Sequence, residues 1–275
     1  MTHEVNHGPR RVVSLQPSAT AILAEIGELD KLVACTKYCL DICPQLKETK
    51  CLIVDDSWTA HSNEILAAQP DLVIASVPYQ EASVSEILKA GVRFLGFAPR
   101  SLADVYGDIA CIAGIMGGAR RGELVIEQMQ DEIRATKEHL ARRSRPLVYC
   151  EEWGKPLITS QLWVAQLIEA AGGEFLGKPG AQTTVEAVLE SNPNVIIASW
   201  CGAGDRVPLE KIVSDRGWRG MQAARSGNVF CIRDEFLNTP APTLLHGLRA
   251  LAAAIHPEIF PTAAGLRRIG TPPST

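Results

Sequence analysis

The sequence predicts an α/β protein of two Rossmann-like lobes with parallel sheets, joined by one long rigid helix, with a ligand cleft between the lobes. Three observations lead to this fold class: a weak internal repeat, alternating strand-like and helix-like segments in each half, and one amphipathic segment between the halves. The chain has 275 residues, which is long enough for two lobes of ordinary domain size.

The internal repeat pairs residues 64–76 with residues 186–199. In both copies an acidic residue starts a short helix, a proline follows, and an apolar run comes next. Pro70 and Pro193 end these helices because a proline disfavours the α conformation in the residue before it. The apolar runs are short and rich in Val and Ile, as is typical of strands covered on both faces. The repeat therefore predicts a helix and a parallel strand in each half.

Other elements continue the alternation. Pro17 opens a helix with apolar residues on one face, and Gly27 supplies its C-terminal cap. Residues 103–117 carry apolar side chains at helical spacing, which predicts a second packing helix. Residues 91–97 and 227–232 begin with glycine, follow the two repeat copies and are predicted to be strands.

The segment between the halves sets the domain boundaries. Apolar side chains at Ile126, Met129, Ile133 and Leu140 form a stripe along a helix with a polar opposite face. About 22 residues of helix would span roughly 33 Å, which predicts a stiff connection. We expect an N-terminal lobe at residues 10–118, a linker helix at 119–144, a C-terminal lobe at 145–260 and a poorly ordered tail at 261–275.

Composition and charge exclude several classes of protein. The net charge is −4 and the basic residues are scattered along the chain. The sequence therefore lacks the basic patch that is typical of nucleic-acid-binding proteins. No apolar stretch approaches the roughly 18 residues of a membrane helix, and the N-terminus lacks the pattern of a signal peptide. As written, the chain is expected in the cytoplasm, or in the periplasm or at the cell surface if an upstream segment has been trimmed. The eight cysteines are therefore expected to be mostly buried free thiols.

Aromatic and acidic residues follow the predicted strands of both halves. Ligands of open parallel sheets bind beyond the carboxyl ends of the strands, and aromatic walls bury much area at a small entropic cost. These positions predict a cleft for a large flat ligand, whereas Trp163 and Trp218 are expected to fill lobe cores. The candidate ligand-binding residues are Tyr38, Trp58, Tyr79, Trp153, Trp200, Asp234 and Phe236.

Catalytic signatures are missing from the sequence, so we do not expect an enzyme. Cys39 and Cys43, with Cys35 and Cys51 nearby, are the cysteines that could bind a metal ion. Their spacing matches neither the usual zinc pattern nor the ferredoxin pattern. His61, close to Trp58, is a further candidate metal ligand, and its alternative interpretation is a surface histidine at a helix start.

Glu64 and Glu186 occupy equivalent positions in the two repeat copies. A glutamate at a helix N-terminus complements the helix dipole, which explains both residues without a functional role. The alternative is that the two carboxylates dock onto basic residues of a membrane partner.

In the order of its motifs along the chain, the sequence resembles the cobalamin-binding branch of the class III substrate-binding proteins of ABC importers. Other members of that family bind siderophores and haem. The resemblance covers residues 11–256 and depends on the start Arg-Val-Val-Ser-Leu-Gln-Pro-Ser-Ala-Thr, the Tyr38 loop, Gln-Pro-Asp-Leu-Val-Ile at 69–74, and Pro-Leu-Ile-Thr-Ser at 156–160. It also includes the 234–236 loop with its prolines Pro240 and Pro242.

The resemblance implies a monomer that binds one corrinoid such as vitamin B12. It implies that Tyr38, Trp58, Trp153 and Phe236 line the corrin cleft and that Glu64 and Glu186 meet arginines of a transporter permease. Two departures from the family, the missing export signal and the cysteines at 39 and 43, leave alternatives open. A siderophore or haem binder would use a different set of side chains, with Arg100, Arg206 and Arg233 as the available arginines. A protein of another class, a metal protein or enzyme, would use the cysteine cluster.

Overall fold

The computed structural model describes residues 8–55, 59–76 and 80–272. The chain divides into two compact units: unit 1 contains residues up to Pro99 together with Ala103–Gln128, and unit 2 contains Arg100–Leu102 and Met129 onward. Within the described residues, no helix combines the length and the apolar character that a membrane crossing requires. The α/β class predicted from the sequence is confirmed in both units.

Unit 1 is organised around a parallel sheet. In the part of unit 1 that the structure describes, the strand order is β3-β2-β1-β4-β5, and all four neighbouring pairs are parallel. The sheet order reverses on either side of the buried central strand, which is the topology of a doubly wound fold. The strands are β1 (Val12–Ser14), β2 (Leu32–Thr36), β3 (Leu52–Val54), β4 (Leu72–Ser76) and β5 (Arg93–Phe97).

The helices of unit 1 begin and end where the local sequence signals predict. Pro17 starts the first helix, and Gly27 adopts a φ of +72° after its last turn, a conformation that glycine reaches without steric cost. Its face with Ile22 and Leu23 is fully buried. The helices are α1 (Pro17–Glu25), α2 (Cys39–Ile42), α3 (Ser62–Ala67), α4 (Glu81–Lys89) and α5 (Leu102–Ile115).

The predicted linker is a continuous helix, α6 (Ala119–Leu140). Its residues up to Gln128 belong to unit 1 and those from Met129 onward to unit 2. Met129 and Leu140 of the predicted apolar stripe are fully buried or nearly so. The helix begins at the first residue of the predicted linker segment, 119–144, and ends four residues before its end.

Unit 2 contains a mixed sheet with the order β12-β11-β10-β6-β7-β9, and β8 pairs with β6. Its parallel core is formed by β6, β10 and β11, with β8 added in parallel, whereas β7, β9 and β12 join in antiparallel pairs. The strands are β6 (Leu147–Gly154), β7 (Leu157–Thr159), β8 (Glu174–Phe175), β9 (Gln182–Thr183), β10 (Val195–Ala198), β11 (Val229–Ile232) and β12 (Leu266–Arg268).

The helices of unit 2 pack around this sheet. Trp218, fully buried, and Trp163, 8% exposed, are core residues of unit 2, as the sequence predicted. The Nε1 atom of Trp163 donates a hydrogen bond to the carbonyl oxygen of Leu237 at 2.8 Å. The helices are α7 (Leu162–Ala170), α8 (Val185–Ser191), α9 (Leu209–Asp215), α10 (Gln222–Arg225), α11 (Asp234–Leu237) and α12 (Leu244–Ile255).

Three expectations about unit 2 need correction. Its sheet is mixed rather than wholly parallel, because only Lys155 and Pro156 separate β6 from β7 and so short a connection can join antiparallel strands only. Trp153, which was expected to follow its strand, lies within β6, because this strand continues to Gly154. The tail beyond Pro261 is not disordered throughout, since β12 pairs with β11 and buries Arg267.

Candidate functional site

A cavity of about 900 Å³ lies in unit 2 at the carboxyl ends of the neighbouring parallel strands β6 and β10. This is the edge of an α/β sheet at which ligands usually bind. The walls combine two indoles, three cationic side chains, two carboxylates and the backbone of the loop after β10. These lining residues are Trp153, Trp200, Lys155, Lys211, Arg216, Glu186, Asp215 and residues 201–203.

Trp153 presents an exposed indole to this cavity. Its side chain is 45% exposed although tryptophan is among the most apolar residues. Its Nε1 atom donates a hydrogen bond to the carbonyl oxygen of Lys155 at 2.8 Å, so the polar atom of the ring is already satisfied. The rest of the ring is an apolar surface available for stacking.

Trp200, which follows the neighbouring strand β10, is held in place by a buried carboxylate of β6. Its Nε1 atom donates to Glu151 Oε1 at 2.8 Å. The ring lies against the backbone of Gly154, where a Cβ atom would stand 2.4 Å from Trp200 Cζ2. Glycine at position 154 is therefore required for this ring position.

Glu151 is the centre of a buried polar network. Its carboxylate is fully buried and accepts hydrogen bonds from Tyr149 Oη at 2.8 Å and from Arg216 Nη1 at 2.8 and 3.1 Å, in addition to the one from Trp200. Arg216 also lies over the ring of Trp218, 4.8 Å from its centroid. Burial, followed by the charge of Glu151, raises the pKa of Tyr149 well above its ordinary value, so that Tyr149 remains a hydrogen-bond donor.

This network was missed by the analysis of the sequence. Glu151 and Arg216 are 65 positions apart, and no local pattern links them. The sequence did contain one signal: Glu151 directly continues the apolar run of β6. A carboxylate buried in a central strand requires polar partners, so this position indicated a buried polar network.

Asp234 shapes the loop that forms one wall of the cavity. Its two carboxylate oxygens accept hydrogen bonds from the backbone N–H groups of Gly202 and Gly204, both at 2.7 Å. Burial raises the pKa of Asp234, and these hydrogen bonds oppose the increase. Asp234 is thus placed to hold the loop after β10, and it is absent from the cavity lining itself.

The other predicted ligand residues are distributed differently. Tyr38 lies in unit 1 at the N-terminal boundary of α2, half-buried, with Lys37 Nζ 5.0 Å from its ring centroid. Phe236, in α11 of unit 2, stacks on His246 with ring centroids 5.0 Å apart and is also absent from the cavity lining. Trp58 and Tyr79 lie outside the described residues.

The two repeat glutamates both lie in the first turn of their helices. Glu64 is half-buried in α3 and Glu186 is exposed in α8, where it also lines the cavity. Thr184 caps α8 by accepting a hydrogen bond from the N–H of Ala187. The N-cap residue of α3 is His61, which makes no side-chain cap, and the hydroxyl of Ser62, the first residue of the helix, donates to Glu86.

The cysteine cluster contains free thiols. Cys35, Cys39 and Cys43 are buried, and Cys51 is half-buried. Across residues 8–55, 59–76 and 80–272, no group of three or more His, Cys, Asp and Glu side chains is arranged to hold a metal ion. His61 is exposed at the N-cap position of α3.

Known proteins similar to this chain agree on its fold and differ in their ligands. A relative from Bacillus subtilis, named "Uncharacterized ABC transporter substrate-binding lipoprotein YvrC", is 24% identical over 92% of this chain and 82% of its own length. The "Vitamin B12-binding protein" of Vibrio parahaemolyticus is 26% identical over 88% of both chains. A solved periplasmic heme binding protein from Pseudomonas aeruginosa superposes with a TM-score of 0.82 at 20% identity, covering 97% of this chain and 100% of its own.

The family resemblance inferred from the sequence motifs is confirmed by a match to a family model over most of the chain. Residues 12–236 match the family described as "Periplasmic binding protein", a span that runs from β1 to α11 and includes strands and helices of both units. This chain therefore belongs to the periplasmic binding protein family.

Proposed function

We propose that this protein binds a corrinoid of the vitamin B12 type without chemical conversion and that the cavity of unit 2 forms part of the binding surface. The observation that carries the proposal is the pair of indoles, Trp153 and Trp200, at the carboxyl ends of neighbouring strands in a cavity of about 900 Å³. The vitamin B12-binding relative, at 26% identity over 88% of the chain, supports the choice of ligand.

The chemistry of the cavity fits a large amphipathic ligand. A corrin ring offers broad apolar faces, which stack favourably on indoles, and a periphery of amide groups. Lys155 and Lys211 can donate hydrogen bonds to these amide oxygens. The buried Glu151–Arg216 pair fixes one indole before the ligand arrives, which lowers the entropic cost of binding.

Further ligand contacts are proposed for the remaining aromatic residues. Tyr38, Trp58 and Tyr79 would contribute from the N-terminal half and Phe236 from the C-terminal half. Asp234 would act indirectly, by holding the backbone of Gly202 and Gly204 at the cavity wall.

An ABC importer permease is the proposed macromolecular partner, with Glu64 and Glu186 as docking carboxylates. The ABC transporter relative supports this partner. Both side chains lie in the first turn of a helix, and Glu186 is exposed. The protein is proposed to act as a monomer.

The test is calorimetric titration of the purified protein with cyanocobalamin, hydroxocobalamin and cobinamide. We expect one-to-one binding of a corrinoid, weakened at least tenfold by Trp153→Ala because an aromatic anchor of a binding surface contributes about 2 kcal/mol or more. Leu189→Ala is the matched control, since Leu189 is an equally exposed apolar residue (44%) of unit 2 that does not line the cavity. Absence of corrinoid binding would contradict the proposal.

Haem is the second candidate ligand because the solved heme-binding protein has the same fold. Haem iron is usually held by an axial His, Cys, Met or Tyr. Among the described residues, the lining of the cavity contains Cys201 and no His, Met or Tyr. Titration with haem and with a ferric hydroxamate, in the same buffer, would reveal a preference for either over a corrinoid.

A further inference from the structure

A group of thiols in unit 1 lies outside the candidate ligand site. Cys35 is in β2, Cys51 directly precedes β3, and Cys39 starts α2. The Sγ atoms of Cys35 and Cys51 are 3.6 Å apart. Cys39 Sγ lies 3.4 Å from Thr36 Oγ1. The thiols of Cys35 and Cys51 are thus in direct contact, and the buried thiol of Cys39 starts the helix that follows β2.

The surroundings of the pair allow a covalent bond to form. A disulfide brings two sulfur atoms to about 2 Å, so one side chain must move by roughly 1.6 Å. Cys51 lies just before the paired part of β3, whose register with β2 begins at Leu52. Strand β3 is also the edge of the sheet in the described part of unit 1. Cys51 is therefore the partner that is able to move.

The accessibility of the two sulfur atoms sets the order of reaction. Cys35 is fully buried, whereas Cys51 is partly exposed. The hydrogen bond with Cys35 lowers the pKa of Cys51, which increases its thiolate fraction. The pKa of Cys39 is lowered to about 7, because hydrogen bonds from Cys35, Thr20 and Thr36 outweigh its burial. Hydrogen bonds with Cys39 and Cys51 raise the pKa of Cys35 well above its ordinary value, so Cys35 remains a protonated thiol. An external oxidant consequently meets the Cys51 thiolate first.

We infer that Cys35 and Cys51 are a thiol pair that a small disulfide such as oxidised glutathione converts reversibly into an intramolecular disulfide. The bond would close a loop over residues 36–50, which contains Tyr38 and α2. This inference is independent of the identity of the ligand.

The reaction proceeds in two exchanges. The Cys51 thiolate attacks one sulfur of oxidised glutathione, which forms a mixed disulfide and releases one glutathione thiolate. Cys35 then attacks Cys51 Sγ, and the departing second glutathione takes up the Cys35 proton and leaves as a thiol. The two protein thiols lose two electrons and two protons in total, and one oxidised glutathione becomes two reduced glutathione molecules.

The test uses a variant in which the exposed Cys111 and Cys201 are replaced by serine, so that six of the eight cysteines remain. The protein is incubated with oxidised glutathione, alkylated and digested with trypsin. Lysines at 31, 37, 47, 50 and 89 place Cys35, Cys51 and the pair Cys39/Cys43 on three separate peptides, 32–37, 51–89 and 38–47. We expect peptide 32–37 linked to peptide 51–89, two fewer free thiols in the denatured protein, and full recovery with dithiothreitol.

Three single substitutions in the same background distinguish the mechanism from general oxidation. Cys51→Ser should abolish the linked product, and Cys35→Ser should trap one glutathione on Cys51. Cys43→Ser is the matched control because Cys43 is a buried thiol of the same cluster, and it should leave the linkage intact. A link between peptides 32–37 and 38–47, or no link in the protein that retains Cys35 and Cys51, would overturn the inference.

Discussion

At the scale of single residues, the side chain that organises the candidate site is Glu151 rather than either tryptophan. Its carboxylate is fully buried and joins Tyr149, Trp200 and Arg216. A buried ion pair is costly to form from solvated ions, and breaking one side of it leaves an uncompensated charge. The orientation of the Trp200 indole is thereby coupled to the integrity of the pair.

Arg216→Met should destabilise the protein by about 3–5 kcal/mol, because it leaves the Glu151 carboxylate buried without its cation. Urea unfolding at neutral pH measures this change. The matched control is Arg134→Met, which breaks an ion pair with Asp131 whose side chains are 64% and 66% exposed and should cost no more than about 1 kcal/mol. Equal losses in the two variants would show that Arg216 contributes no more than a surface charge. The double variant Glu151→Leu with Arg216→Met should lose less than Arg216→Met alone.

Asp108 in α5 gives a prediction for pH dependence. Burial, followed by the charge of Asp104, raises the pKa of Asp108 to about 7. The folded state then binds this proton more tightly than the unfolded state, whose pKa is about 4. The contribution of Asp108 to stability is therefore complete below about pH 4 and is lost as the pH rises towards 7.

Asp108→Asn should accordingly gain stability relative to the unsubstituted protein as the pH rises from 4 to 8. Thermal unfolding of both proteins across this range measures the difference in Tm. Asp131→Asn, on the exposed face of α6, should show no such trend. A constant difference for Asp108→Asn at every pH would contradict the prediction.

At the scale of elements, β12 shows how a segment remote in sequence completes unit 2. Arg267 is buried, 7% exposed, and donates hydrogen bonds to the carbonyl oxygens of Asp205 and Val207 as well as Thr271. Its neighbour Arg268 is exposed, donates to the carbonyl oxygens of Ser226 and Gly227, and lies over the ring of Phe230. The strand therefore fixes the backbone before α9, which contributes Lys211 to the cavity.

Arg267→Met should lower the free energy of unfolding by about 2–3 kcal/mol, because two buried carbonyl groups lose a charged donor. Arg268→Met changes the adjacent residue of the same strand and should cost less than about 1 kcal/mol, since water replaces its partners. Urea denaturation of the two variants provides the comparison. A larger loss of stability for Arg268→Met than for Arg267→Met would show that Arg268, and not Arg267, anchors β12.

At the scale of the whole molecule, membership of the periplasmic binding protein family and the paired indoles lead to a binding role. A ligand that binds only the folded state stabilises it by mass action, by about 2.7 kcal/mol at a concentration 100 times the Kd. The two units share one chain, and the family match extends over strands of both.

Cyanocobalamin should therefore raise the Tm in a concentration-dependent manner. The Trp153→Ala variant should need at least tenfold more ligand for the same shift, whereas Leu189→Ala should follow the unsubstituted protein. Differential scanning fluorimetry measures these shifts. An equal response of both variants would exclude Trp153 from the ligand contact.

The sequence by itself determined the features that depend on local pattern. The repeat at 64–76 and 186–199 predicted β4 and β10, and the stripe through Met129 and Leu140 predicted α6, because burial of one face imposes a period on the chain. Trp153 and Trp200 could be chosen as candidate site residues because each comes shortly after the apolar run of a parallel strand, although β6 itself continues to Gly154.

Tertiary structure decided everything that depends on residues far apart in the chain. The Glu151–Arg216 pair, the close approach of Gly154 to Trp200 and the contact of Cys35 with Cys51 have no local signature. The pairing of β12 with β11 could not be predicted from the sequence either. A three-residue strand carries too short a pattern to distinguish it from a loop. Local periodicity fixes which face of an element is buried, and only the packing of distant elements fixes which side chains meet there.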